Sequence, residues 1–133
     1  MYTRIQHATR LTAAFVFIMA GVGHFLFLFR DTLARFIPPY LPAAAALVLI
    51  SGVFEVAGGV GLLLFRSRRW AAWGLSAMLI SFLPANLFMA VHPAEAGFPG
   101  VPKGIFWVRI ALLPLMVWCL FWCTHSKPTT HPD

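Results

Sequence analysis

Four long apolar stretches constrain this chain more than any other feature of its sequence. They cover residues 9–29, 43–65, 70–91 and 105–123, and each is close to the ~20 residues that a helix needs to cross a bilayer. Backbone N–H and C=O groups find no partner in hydrocarbon, so such stretches can cross a bilayer only as helices. The chain is 60% hydrophobic and 11% charged, unlike a soluble domain. We predict an all-α, integral membrane four-helix bundle in which residues 1–133 form a single domain.

The basic residues predict how the helices are oriented. The net charge is +6, but Lys and Arg flank the apolar stretches, so we expect them to meet the headgroups of a lipid bilayer and not nucleic acid. With a cytoplasmic N-terminus, the cytoplasmic side carries Arg4, Arg10, Arg66, Arg68, Arg69 and Lys127, and the other side carries Arg30, Arg35 and Lys103. Cytoplasmic loops are enriched in basic residues, so this asymmetry favours an N-in/C-in topology.

There is roughly one charged or strongly polar residue inside each apolar stretch. These residues are His24, Glu55, Asn86 and Arg109. An isolated charge in hydrocarbon costs from about 2.5 to over 10 kcal/mol, so we expect the four groups to face one another. At a rise of ~1.5 Å per residue, three of them lie in the outer leaflet, with Glu55 closer to the midplane. We predict an ion pair between Glu55 and Arg109, with hydrogen bonds from His24 and Asn86.

Two interpretations of this polar cluster remain open. Ionisable groups inside a membrane are candidates for function, and a mostly apolar pocket with a few converging polar groups is typical of a small-molecule site. Alternatively, the cluster only fixes how the helices pack, with each polar contact worth ~0.6 kcal/mol on average. The first interpretation predicts a ligand or proton site, and the second predicts none.

Small residues predict where the helices approach each other closely. Ser51, Glu55, Gly58 and Gly59 recur at helical spacing and share one face of the second helix. Membrane helices pack closely through such small side chains. Another helix is therefore expected against this face.

Prolines predict irregular backbone at three places. Asp31 is expected to cap a short turn that ends at Phe36, and the prolines of residues 37–42 exclude a helix there. Residues 30–42 would then be either a rigid connector or a lid over the outer end of the bundle. Pro42 suits the first turn of the second helix, and Pro84 is expected to bend the third.

The cysteines and histidines do not predict a metal or redox centre. Cys119 and Cys123 lie one helical turn apart near the inner end of the last helix, whereas a thiol oxidase would need its reactive pair on the outer side. Buried cysteine usually acts as a small apolar side chain, so we assign both to packing. The five histidines form no ligand spacing known for zinc, and no metal site is predicted.

The same polar residues lie in segments that resemble the DoxX-like family of small four-helix membrane proteins. The matching segments are 20–25 (AGVGHF), 37–42 (IPPYLP), 51–59 (SGVFEVAGG), 69–73 (RWAAW), 84–90 (PANLFMA) and 107–109 (WVR). The resemblance implies a four-helix bundle in the bacterial cytoplasmic (inner) membrane. It also implies a link to redox chemistry, because the family takes its name from a subunit of a thiosulfate:quinone oxidoreductase.

Three functions are therefore considered. The first is a subunit or accessory of a membrane redox system that binds a quinone, or another small amphipathic ligand, at His24, Glu55, Asn86 and Arg109. The second is a non-enzymatic assembly or chaperone-like partner of another membrane protein. The third is a pathway for a small solute, which four short helices would accommodate only in a homo-oligomer. The sequence assigns no catalytic residue.

Overall fold

The regular secondary structure of the part of the chain that the structure describes is entirely helical. The computed structural model describes residues 2–125, so Lys127 of the charge count lies outside it. Its helices are α1 (Tyr2–Gly23), α2 (Phe27–Ala34), α3 (Ala44–Leu63), α4 (Arg68–Ser81), α5 (Leu83–Val91) and α6 (Lys103–Thr124). Four helical stretches are long and apolar enough to cross a membrane: Arg4–Gly23, Ala44–Leu63, Arg68–Val91 and Lys103–Thr124. The all-helical prediction with four such helices is confirmed.

The long helices form a closed ring. Helix α1 packs mainly on α3, α3 on α4, α4 and α5 on α6, and α6 back on α1. The core of one half of this ring is built from apolar side chains of α1, α3, α4 and α6, among them Phe17, Leu62, Leu75 and Leu120. Many large apolar side chains instead face outward, including Phe15, Phe54 and Trp73. An outward apolar surface of this kind is typical of a bundle surrounded by lipid.

Helices α1 and α3 approach each other through glycines, as the small-residue face of the second helix predicted. A Cβ atom on Gly59 would lie 2.7 Å from Cγ1 of Ile18 and 2.9 Å from the carbonyl oxygen of Ala14. A Cβ on Gly52 would lie 2.7 Å from the Cβ of His24. On another side of α3, a Cβ on Gly58 would meet Leu75 of α4 at 2.5 Å. Only glycine allows α3 to lie this close to both neighbours.

The prediction of one helix over residues 9–29 is wrong. Helix α1 begins at Tyr2 and ends at Gly23, and three successive turns, each closed by a bond between residues i and i+3, lead from it into α2. Two glycines in the last turn of α1, at positions 21 and 23, lower its helix propensity. The side chain of His24 also bonds to α3 just where the helix stops. The break thus turns His24 towards the centre of the ring.

Two predictions for the first connection are wrong. Asp31 does not cap a turn, because it lies inside α2 and instead accepts a bond from its neighbour Arg30 at 3.3 Å. Pro42 does not lie in the first turn of α3, because Ala43 precedes that helix in a left-handed conformation with φ of 53°. The prolines nevertheless keep residues 38–43 out of a helix, as expected.

The third apolar stretch is interrupted next to Pro84, where a bend was predicted. Helix α4 ends at Ser81, and α5 begins at Leu83 with Pro84 in its first turn. Proline has no N–H to bond the preceding turn, so the helix is interrupted at Phe82. The second half of the stretch, which carries Asn86, is thereby a separate helix.

Aromatic contacts close the end of the ring that carries α2. The ring centroids of Phe36 and Phe98 are 5.1 Å apart, and those of Phe98 and Phe106 are 5.5 Å apart. These contacts tie the segment after α2 to the 92–102 loop and to the start of α6. We call this end of the bundle the cavity end, and the opposite end, with residues 4–10, 64–69 and 120–125, the basic end.

We predict that Gly59→Ala destabilises the bundle by about 1–3 kcal/mol, because its methyl group would force α1 and α3 apart. Gly74→Ala is the matched control, since nothing lies within 4 Å of the Cβ position of Gly74. That change should be neutral or stabilise by up to about 1 kcal/mol through helix propensity. Thermal unfolding in detergent measures both, and equal effects of the two variants would contradict the close approach at Gly59.

Candidate functional site

A large cavity lies between the helices at the cavity end of the bundle. Its volume is about 920 Å³, within the range of small-molecule sites. The wall is mainly apolar and is built from α1, α2, α3, α4 and α5, with Arg109 from α6. All four polar residues predicted to converge line this cavity: His24, Glu55, Asn86 and Arg109.

His24 is held in place by α3. Its Nδ1 lies 2.9 Å from the carbonyl oxygen of Val48 and 3.0 Å from Oγ of Ser51, and the Ser51 hydroxyl donates to the same carbonyl at 2.8 Å. A carbonyl oxygen only accepts, so we assign the proton to Nδ1. The other ring nitrogen, Nε2, then points away from α3's backbone and lies 3.5 Å from Oε2 of Glu55.

The contact between His24 and Glu55 requires a proton between the two groups. With Nδ1 protonated, Nε2 of a neutral His24 presents a lone pair, which an ionised carboxylate would repel. The contact is attractive if Glu55 is protonated and donates, or if His24 is protonated and Glu55 is ionised. In both cases the pair as a whole is neutral and holds one proton that can lie on either group.

Two oxygens of the site are buried and lack a hydrogen-bond partner. Oε2 of Glu55 is one, since 3.5 Å is too long for a well-formed bond, and Oδ1 of Asn86 is the other. The two residues are only 6% and 5% exposed. A buried polar atom without a partner costs about 1–3 kcal/mol. Both oxygens belong to residues that line the cavity.

The amide of Asn86 has a defined orientation. Its Nδ2 donates to the carbonyl oxygen of Phe82 at 2.9 Å, and the backbone N–H of Asn86 donates to the same oxygen at 3.0 Å. If the amide were flipped, its oxygen would face that carbonyl and repel it. The amide oxygen is therefore the atom left to accept a bond.

The predicted ion pair between Glu55 and Arg109 is wrong. Within residues 2–125, the ion-pair partner of Glu55 is His24, and Arg109 has no hydrogen bond or ion pair. Helices α3 and α6 lie across the ring from each other with the cavity between them, so the two side chains border the same space without meeting. Arg109 is exposed and is the cation of the cavity wall.

Sequence reasoning missed one polar residue of the site. Ser51 was predicted only as a small packing residue, yet it bonds the ring of His24. Its position four residues before Glu55 was a usable signal, because it places the hydroxyl on the same face of α3. The cysteines lie far from the cavity at the basic end, with Cys123 buried and Cys119 half-buried.

Residues 2–125 thus form an all-helical bundle, with four helical stretches long and apolar enough to cross a membrane and an apolar cavity lined by an acid, a histidine, an amide and a cation. The chain belongs to a protein family whose model, described as a domain of unknown function (DUF8561), matches residues 13–123. No curated protein and no solved structure matches the chain. The matched region includes all four polar residues of the cavity.

The structure predicts which pair of groups is energetically coupled. Replacing His24 or Glu55 alone by Leu leaves the other buried without its partner, whereas the double variant leaves neither. The two losses of stability should therefore fall short of additivity by about 0.5–3 kcal/mol in a double-mutant cycle measured by thermal unfolding. The same cycle with Glu55→Leu and Arg109→Leu should be additive to within about 0.5 kcal/mol. Coupling of Glu55 to Arg109, and not to His24, would show that the ion pair predicted from sequence forms after all.

Proposed function

We propose that the chain is an integral membrane protein that binds a quinone, or a small amphipathic molecule of the same polarity, in the cavity. The observation that carries this proposal is that Glu55 and Asn86, each with a buried oxygen that lacks a hydrogen-bond partner, both line a large apolar cavity. Packing alone gives no reason to bury these two oxygens. A ligand with polar groups on an apolar ring would satisfy them.

The polar groups of the cavity suit both oxidation states of a quinone. The amide oxygen of Asn86 accepts, and it therefore fits a hydroxyl of the quinol. The guanidinium of Arg109 donates, and it fits a carbonyl oxygen of the quinone. The His24–Glu55 pair holds one mobile proton and can donate it to a ligand oxygen or take one back. Such a set of groups can bind the ligand and exchange protons with it.

The mouth of the cavity is suited to a ligand that arrives from lipid. Phe29 and Phe54 line the cavity and are also 59% and 62% exposed on the flank of the bundle. Another part of the wall is formed by Leu33, Phe36 and Ile37, from α2 and the segment after it. This favours the interpretation of residues 30–42 as a lid rather than as a rigid connector alone. An apolar ligand could pass between these side chains and the hydrocarbon without entering water.

We further propose that the chain is a subunit or accessory of a redox system in the bacterial inner membrane. The resemblance to DoxX-like proteins supports this role, because that family is linked to a quinone-reducing enzyme. Quinone reduction takes two electrons and two protons, so a redox partner protein would supply the electrons. The His24–Glu55 pair would handle protons.

The charge asymmetry predicts an N-in/C-in topology, which reporter fusions can test. A periplasm-active phosphatase fused after Lys103 should be active, and the same reporter fused after Arg66 or at the C-terminus should be inactive. Lys103 begins α6 at the cavity end, and Arg66 lies in the turn at the basic end, so the fusions report on opposite ends. The reverse pattern of activities would refute the topology and place the cavity in the inner leaflet.

Ligand binding is tested with decyl benzoquinone and its quinol, and with decylbenzene as the matched ligand without ring oxygens. The wild type should bind the quinone and the quinol at least about tenfold more tightly than decylbenzene, because one lost hydrogen bond to a buried group is worth about that factor. Asn86→Leu should weaken binding of the quinol towards that of decylbenzene without lowering the melting temperature, because the lost amide oxygen accepts from a quinol hydroxyl. The carbonyl of Phe82 keeps its backbone bond in that variant, and a buried unpaired oxygen is removed.

Glu95→Gln is the control variant, because Glu95 is exposed at the same end but lies outside the cavity wall. It should bind all three compounds like the wild type. Equal affinity of the wild type for the quinone and for decylbenzene would rule out recognition of the ring oxygens. Unfolding of Asn86→Leu would instead show that Asn86 holds the bundle together.

A further inference from the structure

The wall of the cavity carries an excess of positive charge. Among the described residues that line it, the titratable ones are His24, Glu55 and Arg109. The contact between His24 and Glu55 is attractive when the two groups share one proton, and the pair is then neutral wherever that proton lies. Arg109 stays charged, because a guanidinium does not lose its proton in a protein. A neutral pair and one guanidinium leave the wall with a single net positive charge.

The remaining acidic side chains at this end of the bundle are already paired. Besides the carboxyl of the pair, the described part of the chain contains only Asp31 and Glu95. Oδ1 of Asp31 lies 3.3 Å from Nε of Arg30, and Oε1 of Glu95 lies 3.3 Å from Nδ1 of His92. Neither acid belongs to the cavity wall. Arg109 thus has no counter-ion among the described residues.

The position of Arg109 in α6 makes an unpaired charge unfavourable. It lies six residues after Lys103, where α6 begins, which is about 9 Å along the helix axis. The side chains around it on the outside of α6 are large and apolar, among them Trp107, Val108 and Leu112. A cation beside hydrocarbon is costly, and an anion next to it lowers that cost. In the membrane location proposed above, an anionic ligand would supply the charge that Arg109 lacks.

The rest of the cavity suits an apolar body and not a small ion. Its volume is about 920 Å³, and each of the helices α1 to α5 contributes apolar side chains to its wall, among them Met19, Leu33, Val48, Met78 and Met89. A small inorganic anion would leave most of this space unfilled and these side chains without contacts. The wall therefore favours a ligand that joins one negative charge to an apolar ring or chain.

We propose that the cavity selects amphiphiles with a single negative charge, held with the charged oxygen at Arg109 and the apolar part against the rest of the wall. This inference rests on the proposed function for the place where the ligand binds, and it adds the charge of that ligand. For a quinone it means a ring hydroxyl that is ionised in the bound state. A long-chain carboxylate offers the same chemistry, and the experiment separates these two sources of the charge.

The test compares a hydroxynaphthoquinone that carries a decyl chain with its methyl ether, which cannot ionise. Affinities for the full chain in a non-ionic detergent are measured at pH values below and above the point at which half of the free hydroxy compound is ionised. Its ionised form should bind at least about tenfold more tightly than its neutral form, because a neighbouring opposite charge favours the charged form by that factor or more. The methyl ether is the control for titration of His24 and Glu55, since any pH dependence of its binding belongs to the protein.

Arg109→Gln should abolish the preference for the ionised form. Arg109 has no hydrogen bond or ion pair within residues 2–125, so its replacement leaves no buried partner behind. Arg35→Gln is the matched control, because Arg35 is exposed at the same end but lies outside the cavity wall. That variant removes the same charge and should keep the preference of the wild type. If Arg109→Gln does not fold, the comparison of the two compounds in the wild type decides.

Equal affinity of the wild type for both forms of the hydroxy compound would overturn this inference, even where decyl benzoquinone binds as proposed. An unchanged preference in Arg109→Gln would overturn it as well, since the guanidinium would then extend to the lipid headgroups. Binding of decanoate without binding of any quinone would uphold the anionic class and refute the quinone. Failure of all these compounds to bind would refute the proposed function together with the inference.

Discussion

The close approach of α1 and α3 is the contact on which the candidate site depends. Gly52 and Gly59 have no side chain at this contact, so the backbones of α1 and α3 can approach each other there. This approach brings His24, which follows the last turn of α1, within bonding distance of Val48, Ser51 and Glu55. A methyl group at Gly52 would strike His24 itself. Helix packing and site geometry are therefore set by the same small residues.

The polar groups of the cavity are arranged differently from a structural ion-pair network. In such a network each charge is satisfied by its neighbours, because an unpaired charge in a low-dielectric interior is costly. Here the His24–Glu55 contact is long, Asn86 leaves its oxygen unpaired, and Arg109 stays apart on the far wall. Glu55 and Arg109 thus lie on opposite walls of the cavity, too far apart to form an ion pair. That arrangement supports a ligand site over the view that the cluster only holds the helices in register.

The helices and the convergence of the site could be predicted, whereas the contacts within it could not. Apolar length and the positions of His24, Glu55, Asn86 and Arg109 sufficed to predict the helices and a common polar region, because depth follows from helical rise. The prediction of a Glu55–Arg109 pair was wrong because depth does not show which helices are neighbours in the ring. Helices α3 and α6, which carry these two residues, are not neighbours. The break after Gly23 was missed because its residues are apolar and continue the hydrophobic stretch. Ser51 was missed as a partner because a serine among glycines resembles a packing residue.

The two ends of the bundle carry opposite chemistry, and this limits how the chain can act. Acid, amide and histidine gather at the cavity end, whereas buried arginines gather at the basic end, and the apolar core of Phe17, Leu62, Leu75 and Leu120 fills the space between them. Within residues 2–125 this apolar core separates the His24–Glu55 pair from the basic end. Proton exchange of the pair would then occur with the ligand or with the nearer surface, not across the bundle. The geometry therefore supports a binding site on one side of a membrane better than a conducting path through it.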